Sequence, residues 1–183
     1  MLGLATALME PGALDGLCGS IRLCLVPGEE LIETSWREEL RKAGKKLVIT
    51  NGCFDLLHRG HAEYMYESRN LGDALLVLTN SDASVRALKG PTRPVIDQYN
   101  RAYMLSALAS VDAVVIFDAQ QCDKELAALA PDIYVKGGDY TIDSLNPVER
   151  EVLLKAGTEI VFKPFIPGFS TTTIVERIKN AEK

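Results

Sequence analysis

The 183-residue chain has only two histidines, one tryptophan and 7% aromatic residues, and its four cysteines (Cys18, Cys24, Cys53, Cys122) are scattered. With no C-x-x-C pair, zinc-ribbon and thioredoxin-like readings are excluded, and the thiols are expected to stay reduced. The apolar N-terminus lacks a basic lead-in and is cut short by Glu10 and Pro11, so it does not read as a signal peptide. No run approaches the roughly 20 apolar residues of a membrane span. Neither sign of charge dominates. With 20 Lys+Arg against 25 Asp+Glu and a net charge of −5, the chain is a poor partner for nucleic acid or an anionic membrane. Any anion it binds must be held by a local cluster. Internal repeats and low-complexity tracts are also missing. What remains, at 47% hydrophobic and 25% charged, is the composition of an intracellular, cytoplasmic globule large enough to bury one core.

Residues 1–34 hold five Gly and two Pro without a clear period. They read as an N-terminal extension that packs on the body or stays mobile. The domain proper is expected over 35–183. Ser35 is a candidate cap for a helix running to Ala43, with Gly44 as its stop. Five short apolar runs follow, KLVIT (46–50), ALLVLT (74–79), AVVIF (113–117), DIYVK (132–136) and TEIVFK (158–163). Helical stretches are predicted between them at 61–72, 82–88, 97–110, 123–130 and about 146–156, and a last helix over 171–180. In 97–110 the expected apolar spacing is Tyr99, Tyr103, Leu105 and Leu108, with Asp97 as cap. The prolines make 89–96 a loop. Continuous apolar strands alternating with helices predict an α/β fold: a Rossmann-like, doubly wound, five-stranded parallel sheet with helices on both faces. Ligands in such folds sit at the carboxyl ends of the strands.

The loop after the first strand reads Thr50-Asn51-Gly52-Cys53-Phe54-Asp55-Leu56-Leu57-His58-Arg59-Gly60-His61. Both histidines of the chain fall here, three apart at a helix mouth, so they share a face. Gly60 between them leaves out a side chain where a phosphate could approach, and the helix start adds N–H groups and a positive dipole end. Neither G-x-x-x-x-G-K-[ST] nor G-x-G-x-x-G is present to offer a commoner phosphate site. A zinc site from His58, His61 and Cys53 is the alternative, short of ligands in sequence. Lys89 and Arg93 read as phosphate contacts or as solvated loop charges. Gly137-Gly138-Asp139 suits a turn, and Ser170–Thr172 suit a helix cap. Trp36, Tyr64 and Tyr66 are assigned to packing.

N-G-C-F-D-x-x-H-x-G-H resembles the signature of the nucleotidyltransferase (cytidylyltransferase-like) superfamily. N-S-D (80–82), K-G-P-T-R-P (89–94), V-K-G-G-D-Y (135–140) and S-T-T (170–172) extend the likeness over about 35–180. Together they resemble the adenylyltransferase domain of ADP-heptose synthesis. The resemblance implies transfer of AMP from ATP, with Mg²⁺, to D-glycero-β-D-manno-heptose 1-phosphate. It makes His58, His61, Lys89 and Arg93 the catalytic set. Thr50, Asn51, Gly52, Cys53, Phe54, Asp55 and Gly60 would line the nucleotide site, with Asp55 fixing the loop. Gly137, Gly138, Asp139 and Tyr140 would border the nucleoside, and Ser170, Thr171 and Thr172 would present hydroxyls and amides. Arg101 matches an arginine on the family's central helix, and otherwise reads as a partner for a carboxylate. Ala109-Ser110 stand where many cytidylyltransferases carry arginine, which leans away from CTP. CTP with glycerol 3-phosphate is the alternative pair, and a nucleotide-binding regulatory module without turnover is the alternative class. The family also implies a homodimer, for which residues 1–34 offer a surface.

Overall fold

The structure, a computed structural model, describes residues 23–25, 30–164 and 168–181, with side chains from Trp36 onward. Most of the N-terminal extension, and the packing or mobility expected of it, therefore lies outside the described residues. One parallel sheet contains β1 (Leu23–Leu25), β2 (Leu47–Gly52), β3 (Ala74–Asn80), β4 (Ala113–Phe117), β5 (Ile133–Gly137) and β6 (Glu159–Lys163). The order across it is β1-β4-β3-β2-β5-β6. All five strands expected from the apolar runs form. The short β1 adds a sixth at the edge, where Leu23 pairs with Ala113 and Leu25 with Val115. Three residues in a Gly- and Pro-containing stretch carry no readable period, so only pairing with β4 makes them a strand.

The helices are α1 (Glu30–Lys42), α2 (Arg59–Arg69), α3 (Asp82–Lys89), α4 (Gln98–Ser106), α5 (Asp123–Leu129), α6 (Pro147–Lys155) and α7 (Thr171–Ala181). Three sequence expectations are corrected. Ser35 lies inside α1, which begins at Glu30, and so does not cap it. Gly44 does stop α1: at φ +66 it lets Lys45 N–H reach the Leu40 carbonyl, a turn disfavoured for other residues. On α4 the tyrosines face out, Tyr99 being 60% and Tyr103 70% exposed, while Arg101, Ala102 and Leu105 are buried. Phenol rings tolerate water at their polar edge, so aromatic spacing misidentified the buried face. Tyr66, assigned to packing, is 64% exposed.

Alternation along each strand divides two cores. Leu47, Ile49, Leu76, Leu78, Val115, Phe117 and Tyr134 face α1, α5 and α6. Val48, Leu75, Val77, Val114, Ile116 and Val135 face α2 and α4. At the amino ends of the strands, carboxylates take up the first N–H groups: Asp132 accepts from Leu47 N at 2.7 Å and Asp112 from Leu75 N at 2.8 Å. Arg37 and Arg69 neutralise these two carboxylates. That end of the sheet is closed by its own hydrogen bonds, and the carboxyl ends are left for a ligand.

Candidate active site

β2 and β5 are neighbours, but the chain leaves β2 toward β3 and β5 toward β6. Their following loops diverge, and a crevice opens between them. A cleft of about 1230 Å³ lies there, above the size usual for one drug-sized ligand. Of the residues singled out from sequence, Asn51, Gly52, Cys53, Phe54, Asp55, His58, Gly60 and His61 line one wall. Lys89, Arg93, Gly137, Tyr140, Ser170, Thr171 and Thr172 line the rest. Thr50, Gly138 and Asp139 are outside the lining. The buried Thr50 hydroxyl meets the Tyr64 hydroxyl at 2.6 Å beneath the floor. Gly138, at φ +123, donates its N–H to the Lys163 carbonyl, and Asp139 is exposed. The glycine turn therefore sets the path of the wall without forming its surface.

The loop between β2 and α2 is fixed from behind. Asp55 is buried and accepts from Arg93 at 2.6 Å, Val95 N at 2.7 Å and Ile96 N at 3.0 Å. It thereby ties the HxGH loop to the loop carrying Arg93. Arg101, with a side chain 0% exposed, pairs with Asp82 at 2.9 Å and also donates to the carbonyls of Cys53, Asn80 and Ile96. The carboxylate pairing expected of it is present, and its donors are taken up by backbone carbonyls, the Thr79 hydroxyl and Asp82. Arg101 is thus a positioning residue. Phe54 takes φ +46, a left-handed value that a bulky residue adopts only under surrounding constraint.

His58 stands at the N-cap of α2 without a side-chain cap bond; its carbonyl accepts from His61 N, and the Arg59 and Gly60 N–H groups stay available. Its ring stacks on that of His61, with centroids 3.8 Å apart and planes 17° from parallel. Both Nδ1 atoms are buried without a hydrogen-bond partner. Burial first, then the neighbouring His58 ring, holds His61 down at about 4 despite an opposing bond to the Leu56 backbone. Burial also lowers His58. Burial thus disfavours a positive charge on either ring. Gly60 gives its side-chain space to this stack: a Cβ there would lie 3.1 Å from both the His58 ring and Phe169. The space is thus used to bring His58 against the helix start and is not left open.

Sequence reasoning missed several residues of the cleft. Lys136 and Asn80 lay inside quoted pieces, V-K-G-G-D-Y and N-S-D, yet were given no role. Strand parity could have found Lys136, since it shares a face with Tyr134. Glu149 and Phe169 carried no local signal and enter the lining only through tertiary packing. Among the described residues, no three His, Cys, Asp or Glu side chains converge as a metal site requires. The zinc alternative through Cys53 finds no support; the thiol instead approaches Asn80 Oδ1 at 3.7 Å.

The cytidylyltransferase-like family model matches residues 49–177, from the second residue before Asn51 into α7. The chain belongs to the cytidylyltransferase-like family. The bifunctional protein HldE of Methylococcus capsulatus is 50% identical over 141 residues, covering 77% of this chain and 30% of that protein. HldE of Citrifermentans bemidjiense is 50% identical over 135 residues, covering 74% of this chain and 27% of that protein. The chain thus spans 27–30% of the length of these two curated relatives. Among solved structures, a lipopolysaccharide core biosynthesis protein from Thermoplasma volcanium matches with TM-score 0.58 and 30% identity, over 67% of this chain and 99% of that one. A pantoate-beta-alanine ligase from Francisella tularensis, 13% identical with TM-score 0.55, shares the fold over 87% of this chain and 78% of its own. Members of the cytidylyltransferase-like family and this ligase thus share one sheet architecture.

Proposed function

We propose that this chain is a nucleotidyltransferase that moves AMP from ATP to a sugar 1-phosphate, D-glycero-β-D-manno-heptose 1-phosphate, releasing pyrophosphate. The observation that carries the reading is the stacked His58–His61 pair with two orphaned ring nitrogens at an uncapped helix start, inside the switch-point cleft. Buried polar atoms are costly without partners, and a polyphosphate would supply acceptors for imidazole N–H groups. The heptose acceptor is supported by the K-G-P-T-R-P and V-K-G-G-D-Y pieces, and by likeness to a solved lipopolysaccharide core biosynthesis protein.

In the reaction an acceptor phosphate oxygen attacks the α-phosphorus in line. The new P–O bond forms as the bond to the β-phosphate bridge breaks, and pyrophosphate leaves with the electron pair. Positioning and charge neutralisation supply the catalysis. The imidazoles and first-turn amides of α2 hold the triphosphate, and its charge draws the histidines toward protonation. Lys89, at the end of α3, and Arg93, in the loop that follows, add positive charge from the facing side. Ser170 accepts from Thr173 N at 3.0 Å and so sets the start of α7, where Thr171 and Thr172 face the cleft. Among the described residues no carboxylate cage for Mg²⁺ is present. Asp55 is committed to Arg93 and two amides, and Glu149 Oε1 to Cys122. Mg²⁺ would enter on the triphosphate oxygens, as it commonly does.

The test is pyrophosphate release from ATP with heptose 1-phosphate, compared with CTP and glycerol 3-phosphate. His58→Ala and His61→Ala are each expected to lower turnover by on the order of 10²–10³ with the fold retained. Near-normal turnover in both variants overturns the reading. Preference for CTP and glycerol 3-phosphate replaces the substrates while keeping the chemistry. Tight ATP binding without turnover on any acceptor favours a regulatory module.

A further inference from the structure

Lys136 is a cation of the cleft that the histidine-centred reading leaves unused. It projects from the carboxyl end of β5 on the face shared by Tyr134 and, across the register, by Asn51 of β2. Its Nζ donates to Asn51 Oδ1 at 2.6 Å and lies 3.4 Å from the Tyr134 hydroxyl, with the Tyr140 ring centroid 5.3 Å away. The other cations of this cleft that are partly buried have carboxylates: Arg93 has Asp55 at 2.6 Å and Lys163 has Glu67 at 3.2 Å. Among the described residues, Lys136 has neutral partners only. A half-buried ammonium whose hydrogen-bond partners are all neutral is costly, and an arriving anion relieves that cost.

The partners of Lys136 are themselves fixed. Asn51 Nδ2 donates to Cys122 Sγ at 3.0 Å, and Cys122 N donates to Glu149 Oε1 at 3.1 Å. This relay sets Lys136 and Glu149 in one frame on the α5–α6 side of the cleft. Asn146 and Gln121 line the same side. Asn146 Oδ1 is taken by Val148 N and Glu149 N, which leaves its amide N–H groups for a ligand. A carboxylate and two amides suit sugar hydroxyls.

We propose that this wall is the acceptor subsite: Lys136 grips the phosphate of the sugar 1-phosphate, and Glu149, Asn146 and Gln121 take its hydroxyls. The proposal rests on the nucleotidyltransferase reading and adds to it the residues that choose the acceptor. Lys136 would aim a phosphate oxygen across Asn51 at the α-phosphorus, forming the new P–O bond as pyrophosphate departs with its electron pair. An acceptor entering as a dianion has no proton to lose.

The test joins steady-state kinetics with calorimetric titration of D-glycero-β-D-manno-heptose 1-phosphate, using the full chain. Lys136→Met should raise KM and Kd for the sugar phosphate roughly 10- to 100-fold and leave KM for ATP within about twofold. Lys136→Arg should recover part of the loss, and melting curves should confirm that both variants fold. Glu149→Gln should erode the preference for heptose 1-phosphate over glycerol 3-phosphate. If wild-type turnover is present but Lys136→Met changes only the ATP constant, or leaves the sugar phosphate Kd unaltered, the subsite is wrong and the enzyme reading stands. If the wild-type protein neither binds the sugar phosphate nor turns over, both fail together.

Discussion

Arg101, buried, and His61, half-buried, are polar side chains packed against the loop 53–58, yet they are built in opposite ways. Arg101 spends its guanidinium on Asp82, the Thr79 hydroxyl and three backbone carbonyls. His61 stacks on His58 with its buried Nδ1 unpartnered and with its basicity suppressed to about 4. The first arrangement is complete without a ligand, and the second is not. Buried polar groups are normally satisfied, so an incomplete set in a cleft marks where a ligand is expected, while a complete set marks the scaffold. The same contrast separates Asp55, which is saturated, from Lys136, whose hydrogen-bond partners are all neutral.

Substitutions can break this contrast or sharpen it. The largest effect is expected for Arg101→Met, which strands Asp82 and several carbonyls. Denaturant titration should show a loss of about 3–5 kcal/mol. A loss below about 1 kcal/mol would undo the assignment of Arg101 to the scaffold. His61→Phe keeps the volume and removes the orphaned nitrogen. It should leave stability equal or higher while turnover falls on the order of 10²–10³. Lowered stability with intact turnover would reverse the roles of the two residues.

Asp55→Asn keeps an acceptor for Val95 and Ile96 but turns a donor toward Arg93. A stability loss of about 1–3 kcal/mol is expected by thermal or chemical melting. The pH dependence comes next. The folded protein keeps His61 unprotonated down to about 4, whereas an unfolded histidine protonates near 6.5. Between those values the unfolded state binds more protons. Stability should therefore fall as pH drops from 6.5 toward 4, by at most about 1.4 kcal/mol per pH unit, and His61→Phe should flatten the curve. The smallest effect is expected for Tyr66→Ser on exposed α2 surface, within about 0.5 kcal/mol on melting.

The strands were legible because each is a continuous apolar run, and a buried parallel sheet demands that composition. Gly44 and Asp97 were legible because turn and cap chemistry is local; Asp97 Oδ1 accepts from Tyr99 N and Asn100 N at 3.1 Å each. β1 was not legible, nor was the buried face of α4. In both cases a partner distant in sequence decides the outcome, β4 for Leu23–Leu25 and the HxGH loop for Arg101. The site divides in the same way. The His58–His61 spacing is local and readable, while Glu149 enters the cleft only because α6 packs beside α5.

From the residues alone follow a doubly wound parallel sheet and a histidine pair at the mouth of the helix after its first predicted strand. Hydrophobic periodicity and near-neighbour spacing are properties of the chain itself, so they need no folded context. Tertiary structure decided which polar groups are satisfied. Asp55 and Arg101 are saturated by partners tens of residues away, while the histidines and Lys136 are left with capacity to spare. Such satisfaction depends on where distant carbonyls and carboxylates arrive, which only the packed chain determines.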